Sequence, residues 1–599
     1  MKPTIEILAR LQENSKANPE EVFTKLYRYL LRSDIYYEAY RRLYANKGAG
    51  TRGINNDTAD GFSESKIAKL IQSLKEETFE PTPVRRTYIA KKGGSGKLRP
   101  LGIPTFTDKL VQEALRMILE SIYEPIFLEC SHGFRPNKSC HTALTQVKNR
   151  FMSIRWFVEG DIRGCFDNID HRVLISVLNQ KIADARLVKL IYKMLKAGYM
   201  ENWQYHNTYS GTPQGGIISP ILANIYLHEL DKFVMTLKSE YDVPRDGRVT
   251  KEYRAARYRS SLMRQKIEGT TGSERKSLLA EYKKLRSEQL EIPYTRQTDK
   301  KLQYVRYADD FIIGVNGSHQ DCEEIKARLA EFISRTLKME LSEEKTLITH
   351  SSEYARFLGY NIRVMRTQII RRGGASHCKM RTLNNKSELS IPLDSKVTKF
   401  LFNKGIVEQK ADGRLWPIHR PELLGCTDLE IVSAYNAELR GICNYYNLAS
   451  NFSRLNYFAY LMEYSCLKTL ANKHKSSISK VKAKFKDGQG HWGIPYETKA
   501  GKKKCYFAKY MDCLKNIAVS DTMGDRAMIC RHSVNSFEKR LKAEVCELCG
   551  TTESQRYEIH HINKVKNLKG KEPWERAMIA KRRKTMVVCE SCHKKIHHQ

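Results

Sequence analysis

Apolar and polar positions follow two different rhythms along this chain, and the change between them marks its regions. From residue 1 to about 360, short apolar runs of β type alternate with helical patterns, which predicts a mixed α/β domain. At its start, MKPTIEILARLQENSK places Ile5, Leu8 and Leu11 on one face and predicts a short amphipathic helix. LQYVRYADDFIIGV reads as two apolar strands with Asp309 and Asp310 where the chain turns. Residues 241–300 are highly charged and helix-prone, and are expected as a solvated insertion. Around 361–390 the Gly- and Arg-rich stretch RRGGASHCKMR predicts an exposed connection. From about 391 to 490 the pattern is helical and rich in Tyr, Asn and Lys, and from 541 the tail carries paired cysteines and histidines. There is no internal repeat.

Charge narrows the picture. Lys plus Arg number 103 against 67 Asp plus Glu, a formal net charge of +36. That excess fits a polyanionic partner, although by itself it equally describes a generic basic protein. With 41% hydrophobic residues, global disorder is excluded. No stretch approaches the roughly 20 apolar residues of a membrane span, and the N-terminus lacks an apolar secretory core. The expected setting is the bacterial cytosol or nucleoid, with no membrane partner and with the 15 cysteines reduced unless they bind metal.

The first chemical signal is Tyr307-Ala308-Asp309-Asp310. Two adjacent carboxylates are costly to bury, so they belong at a hairpin tip or on a cation. A second acidic strand, WFVEGDIRGCFDNIDH, runs through Trp156, Phe157 and Val158 into Asp161. A carboxylate leaving one strand opposite a pair on a hairpin is what two Mg²⁺ ions need to transfer a nucleotide. Oxygen-only ligands favour Mg²⁺ over Zn²⁺. The competing reading makes Asp161 and Asp167 turn or cap residues.

Five signatures, the acidic turn among them, fall in order: Leu98 to Pro104 (LRPLGIP), Ser131 to Pro136 (SHGFRP), Gly211 to Gly216 (GTPQGG), Tyr307 to Asp310, and Phe357 to Tyr360 (FLGY). This ordered set resembles that of non-retroviral reverse transcriptases, most closely the group II intron-encoded proteins, and the similarity runs through the whole chain. The resemblance implies an α/β fingers-palm domain over 1–360, a linker over 361–390, an α-helical thumb or maturase domain X over 391–490 and a DNA-binding region over 491–540. It implies that Asp161, Asp309 and Asp310 hold the two Mg²⁺ ions. Lys92 and Arg99, flanking Gly93, Gly94 and Gly96, would grip the dNTP triphosphate, a task that suits the planar guanidinium. Phe166 would stand against the sugar 2′ position and favour dNTPs. Gln214 would approach the nascent base pair, and Phe357 to Tyr360 would position the primer.

In the helical region, Arg440, Tyr445 and Tyr446 interleave a cation with aromatic rings able to stack on splayed RNA bases. SSISKVKAKFKDG sets Ile478, Val481 and Phe485 on one face and leaves Lys480, Lys482, Lys484 and Lys486 to track a phosphate backbone. A lysine face is also ordinary solvated surface, and the tyrosines also suit a core.

The tail carries its own argument. Cys546-x-x-Cys549 and Cys589-x-x-Cys592 are two hooks suited to a tetrahedral structural Zn²⁺. Between and after them stand His560, His561, His593 and His597, the last two spaced to share a helix face. The assembly, over 541–599, resembles the HNH or ββα-metal endonucleases. It implies that His560, His593 and His597 hold a divalent ion and that His561 is the general base. Where that family places an Asn, this chain has Lys584, which leaves a DNA-binding zinc knuckle as the alternative. Together these expectations describe a protein that copies intron RNA from dNTPs, helps the intron fold for splicing and nicks a double-stranded DNA target. A non-catalytic splicing factor and a reverse transcriptase without an intron partner are the competing classes.

Overall fold

Phe157 and Val158 are fully buried and point to opposite faces of a four-stranded antiparallel sheet. In the computed structural model its strands run in the order Lys301–Tyr307, Asp310–Asn316, Trp156–Asp161, Leu347–His350. The structure describes residues 3–598 apart from 47, 91–97, 202, 203, 209, 212–214, 245–248, 293, 295–299, 367–369, 373–378, 382–384, 489, 499, 500 and 516–535. Both faces of the sheet are covered: the helices Ser219–Tyr241 and His319–Arg335 pack on one and Cys140–Arg150 on the other. That double cover explains why its central strands read as continuous apolar runs rather than as a strict alternation.

A second sheet, Leu98–Ile103, Val84–Ala90, Tyr199–Glu201 and Gln204–His206 in spatial order, stands beside the first. The charged segment forms two helices, Lys251–Glu268 and Gly272–Glu291, which pack on each other and bury few residues, among them Ala256 and Ile267.

The stretch 361–390 departs from the exposed connection its composition predicts. Tyr360–Val364 and Ser387–Ser390 pair antiparallel, with Ile362 opposite Leu389 and both buried. Alternate apolar residues at its two ends supply a buried face that the glycines and arginines between them conceal from a composition-based reading. Beyond it, helices Asp428–Tyr445 and Leu455–Lys473 pack together, the first opened by a capping box between Thr427 and Glu430. Their apolar core continues past residue 490 through Ile494 of the hairpin Gly493–Thr498 and Gly501–Tyr506 and through Trp492 and Ala508 that flank it.

At the C-terminal end Tyr557–His561 pairs antiparallel with Thr585–Cys589, which runs straight into helix Glu590–His598. This unit sits on the first sixty residues of the chain. The Phe537 ring meets Tyr37, Tyr40 and Phe62 at centroid distances of 6.3, 5.1 and 6.4 Å. Phe62 also extends the small sheet: the Ile559 N–H donates to its carbonyl at 2.9 Å, and the Gly61 N–H donates to the Ile559 carbonyl at 3.0 Å. Among the described residues no helix is long and apolar enough to cross a membrane.

Candidate active sites and nucleic-acid interface

The acidic turn is built on a buried charge. Arg306, fully buried one strand residue before Tyr307, donates to both carboxylate oxygens of Asp231 at 2.7 and 2.6 Å. It also donates to the Ala308 carbonyl at 2.9 Å and to Ser131 Oγ at 2.8 Å, while the Tyr304 hydroxyl donates to Asp231 at 2.9 Å. Ala308 takes a left-handed backbone, φ +57°, which the network holds in place. The SHGFRP segment runs alongside, with the His132 N–H donating to the Arg306 carbonyl and the Arg306 N–H to the Cys130 carbonyl. Gly133 is glycine for lack of room: a Cβ there would lie 2.3 Å from the Ala308 nitrogen.

Register then sets Asp161 directly across from Asp310, one residue past Gly160, which lies under the Phe311 ring. Asp310 is exposed at the start of its strand, but its carboxyl lies among protein groups, and that desolvation followed by the charges of Asp309 and Asp161 pushes it up to about 7. Asp309 is raised as well, first by burial and then by Asp161, with the Arg99 charge opposing it. A cation already answers this charge: Lys345 Nζ lies 2.6 Å from Asp161 Oδ2, and that bond holds its pKa up. An all-oxygen donor set that raises its own proton affinity and draws an ammonium toward it fits a hard divalent ion.

The flanking motifs close round this edge. Gly211, φ +86°, would drive a Cβ to 2.6 Å from the Asp167 carbonyl oxygen, and Gly215, φ +110°, to 2.4 Å from that of Gly102. The GTPQGG segment therefore touches the turn that follows the Asp161 strand at one end and the LRPLGIP strand at the other. Phe166 is nearly buried in the turn after that strand and meets the exposed Phe134 ring edge-on at 6.1 Å. Arg99 lies exposed on Leu98–Ile103, whereas Lys92 and Gln214 lie outside the described residues.

In the helical region the expected roles of the two tyrosines need correction. Tyr446 is buried and Tyr445 half-buried, and their hydroxyls donate to the Gly359 and Leu358 carbonyls at 3.2 and 2.5 Å. They clamp the FLGY turn, where Leu358 and Gly359 both have positive φ, and their rings pack on Tyr360. Burial takes Tyr446 out of reach of a base, while Tyr445 keeps partial exposure with its hydroxyl committed to the turn. Arg440 stays exposed on the same helix. Lys480 and Lys484 are exposed, but Lys482 pairs with Glu463 at 3.0 Å, which also accepts from Trp492 Nε1 at 2.9 Å. Tyr457 and Tyr460, exposed on Leu455–Lys473 and stacked at 6.3 Å, form an aromatic face that the motif reading passed over. Their i, i+3 spacing was the available signal.

In the tail, two clusters draw metal-ligating atoms within 4.8 Å of one another among the described residues. The first is Cys546, Cys549, Cys589 and Cys592, with the Cys549 and Cys589 sulfurs 3.8 Å apart. Four thiolates on a tetrahedron of about 2.3 Å bonds stand roughly that far apart, so the set suits Zn²⁺. Burial opposes the Cys546 thiolate, but N–H groups of Cys549, Cys589 and Leu548 outweigh it and bring its pKa down to about 7.

The second cluster contains a residue that the sequence reading missed. His560, His593 and His597 are joined by Asp60, 500 residues away in the chain. Asp60 Oδ1 lies 3.2 Å from His560 Nδ1 and 3.3 Å from His593 Nε2, and Oδ2 lies 2.6 Å from His597 Nε2. His593 Nδ1–H donates to Glu558, which turns Nε2 inward. Burial works against the charged form of His593, but Asp60 and Glu558 bring its pKa up to about 9. His561 is nearly buried and its Nε2–H donates to the Tyr44 carbonyl at 3.0 Å, leaving Nδ1 as the basic nitrogen. Burial lowers its pKa, so it is neutral at pH 7 as a general base must be. At the first site Asp161 ends one strand opposite Asp310, which begins the next, with Asp309 beside it in the turn.

Three family descriptions match successive parts of the chain. The family described as reverse transcriptase (RNA-dependent DNA polymerase) matches residues 89–241 and 283–362, passing over most of the helical insertion. Type II intron maturase matches 384–523, and the AI2M/AI1M-like HNH endonuclease matches 546–593. The group II intron-encoded protein LtrA of Lactococcus lactis subsp. cremoris is 60% identical over the full length of both chains. A 91 kDa protein in the cob intron of Schizosaccharomyces pombe is 36% identical over 98% of this chain and 71% of its own. A putative COX1/OXI3 intron 2 protein of Saccharomyces cerevisiae is 34% identical over 98% and 68%.

Proposed function

The chain belongs to the group II intron-encoded proteins, and from that premise we propose how its residues divide three activities among two metal-dependent centres and one RNA-binding surface. It is a reverse transcriptase and an endonuclease joined to a maturase domain.

In this reading the α/β region is the fingers and palm, the helical region the thumb or maturase domain X, and the tail a ββα-metal unit on a structural zinc. Asp161, Asp309 and Asp310 hold Mg²⁺, which when bound stabilises charge on the attacking 3′-oxygen and the leaving pyrophosphate. The observation that carries the assignment is the register of Asp161 against Asp310, beside a turn fixed by a buried Arg306. Lys345 neutralises Asp161 and would have to yield that carboxylate for it to ligate a divalent ion. Lys92, Arg99 and Gln214 bind and orient the dNTP, and Phe166, braced by Phe134, excludes a 2′-hydroxyl.

Arg440, Lys480, Lys484 and the Tyr457–Tyr460 face contact intron RNA. At the tail centre His560, His593 and His597 hold a divalent ion, and His561 takes the proton of the attacking water through Nδ1. Nicking supplies the DNA 3′-OH from which intron RNA is copied. Primer extension on an RNA template with Mg²⁺ and dNTPs tests the polymerase assignment. Product from the parent and none from a folded Asp309→Asn variant is the expected result; equal product from both overturns it.

A further inference from the structure

Three imidazoles alone would leave the tail's metal centre an open position, which a catalytic site needs for water and phosphate. The structure does not leave it open. The ligand atoms of His560, His593, His597 and Asp60 stand 2.6 to 3.3 Å apart where distances connect them to the carboxylate, and His593 Nε2 and His597 Nε2 are 3.2 Å apart. Four N and O ligands on a tetrahedron with bonds of about 2.0–2.1 Å stand roughly 3.3 Å from each other. His560 is almost completely buried; its Nε2 has no hydrogen-bond partner, and its Nδ1 has only the 3.2 Å approach to Asp60 Oδ1, without hydrogen-bond geometry.

The rest of the interface covers the same face. Asp60 Oδ1 accepts the His561 N–H at 2.7 Å, and Tyr44 occupies His561 Nε2. The strand-like pairing of Phe62 with Ile559 anchors Asp60 two residues away, and Asn563 lies against Gly50. His560, His561 and His593 are all less than 10% exposed, while the His597 side chain, at the rim, is 52% exposed.

We propose that Asp60, supplied by the reverse transcriptase half, is the fourth ligand of the nuclease's divalent ion, so that docking of the two halves closes the nuclease centre. The inference rests on reading His560, His593 and His597 as that centre. A DNA strand gains the metal and His561 only when the Phe62–Ile559 pairing opens and carries Asp60 away. The polymerase half thereby holds the nuclease shut in the free protein.

The test uses full-length protein with zinc retained on its cysteines, titrated with Co²⁺ while the visible bands of four-coordinate cobalt are read. Asp60→Ala should weaken Co²⁺ binding roughly tenfold. It should also raise nicking of a DNA duplex at saturating metal by roughly threefold or more. Asp60→Asn retains an oxygen for the His561 N–H and should show the same two changes if Asp60→Ala fails to fold. Unchanged Co²⁺ binding in both variants overturns the ligand, and reduced nicking overturns the closure. His593→Ala separates the two levels: if it leaves the cobalt bands intact, the reading of the centre itself fails. If it abolishes them while the Asp60 variants bind normally, only the fourth ligand fails.

Discussion

Arg306 and Asp231 are each fully buried and joined by two hydrogen bonds of 2.7 and 2.6 Å, directly behind the turn that carries Asp309. The guanidinium's remaining donors reach Ala308 and Ser131, so the pair couples the helix Ser219–Tyr241 to the acidic hairpin and to the SHGFRP segment. Removing the carboxylate strands a buried cation. Asp231→Ala should therefore cost about 3–5 kcal/mol and abolish primer extension. Chemical denaturation checks it, and a loss under about 1 kcal/mol would show that the pair is not the hairpin's support.

The Phe166 ring, nearly buried and braced by Phe134, should set sugar selectivity through its bulk. Phe166→Val should lower the preference for dNTPs over rNTPs by roughly tenfold or more, through better use of rNTPs. Competing single-nucleotide incorporations measure the ratio, and an unchanged ratio with intact dNTP incorporation contradicts the role.

Tyr445 and Tyr446 should act through the FLGY turn and not through RNA. Each Tyr→Phe change removes one hydrogen bond to a backbone carbonyl, worth about 1 kcal/mol. Extension from a primer-template should fall while intron RNA affinity stays within roughly twofold. A selective loss of RNA affinity would return the tyrosines to the RNA surface.

Two histidines near Arg306 should make the α/β region sensitive to mild acid. Burial pushes His132 and His228 down from 6.5 to about 4, with the Arg135 and Arg306 charges adding to it. His132 is held by Thr142 and Gln146. Because the folded values are depressed, their contribution is complete above about 6.5 and is lost as pH falls toward 4. The denaturation midpoint should drop between pH 7 and pH 5, and less steeply for His228→Gln. A midpoint independent of pH in that range would contradict the shifts.

What the sequence revealed followed the range of its interactions. Asp161, Asp309 and Asp310 were legible because strand register needs only local apolar runs to bring them together. The cysteine hooks were legible because each closes within four residues. Asp60 was not: TADGF carries no metal motif, and its partners arrive only when two halves of the chain dock. Asp231 was hidden for a related reason. Inside Ser219–Tyr241 it looks like any polar helix residue, and only burial opposite Arg306 gives it meaning. The tyrosines of Arg440 to Tyr446 misled because an aromatic at helix spacing has the same sequence signature whether it faces RNA or a core.

The central claim is that one chain holds two separate metal centres, one for copying RNA and one for cutting DNA. The most direct measurement runs primer extension on RNA and nicking of duplex DNA in parallel for the parent, Asp309→Ala and His593→Ala. Asp309→Ala should lose extension alone and His593→Ala nicking alone. Loss of both activities in either folded variant would contradict two independent centres.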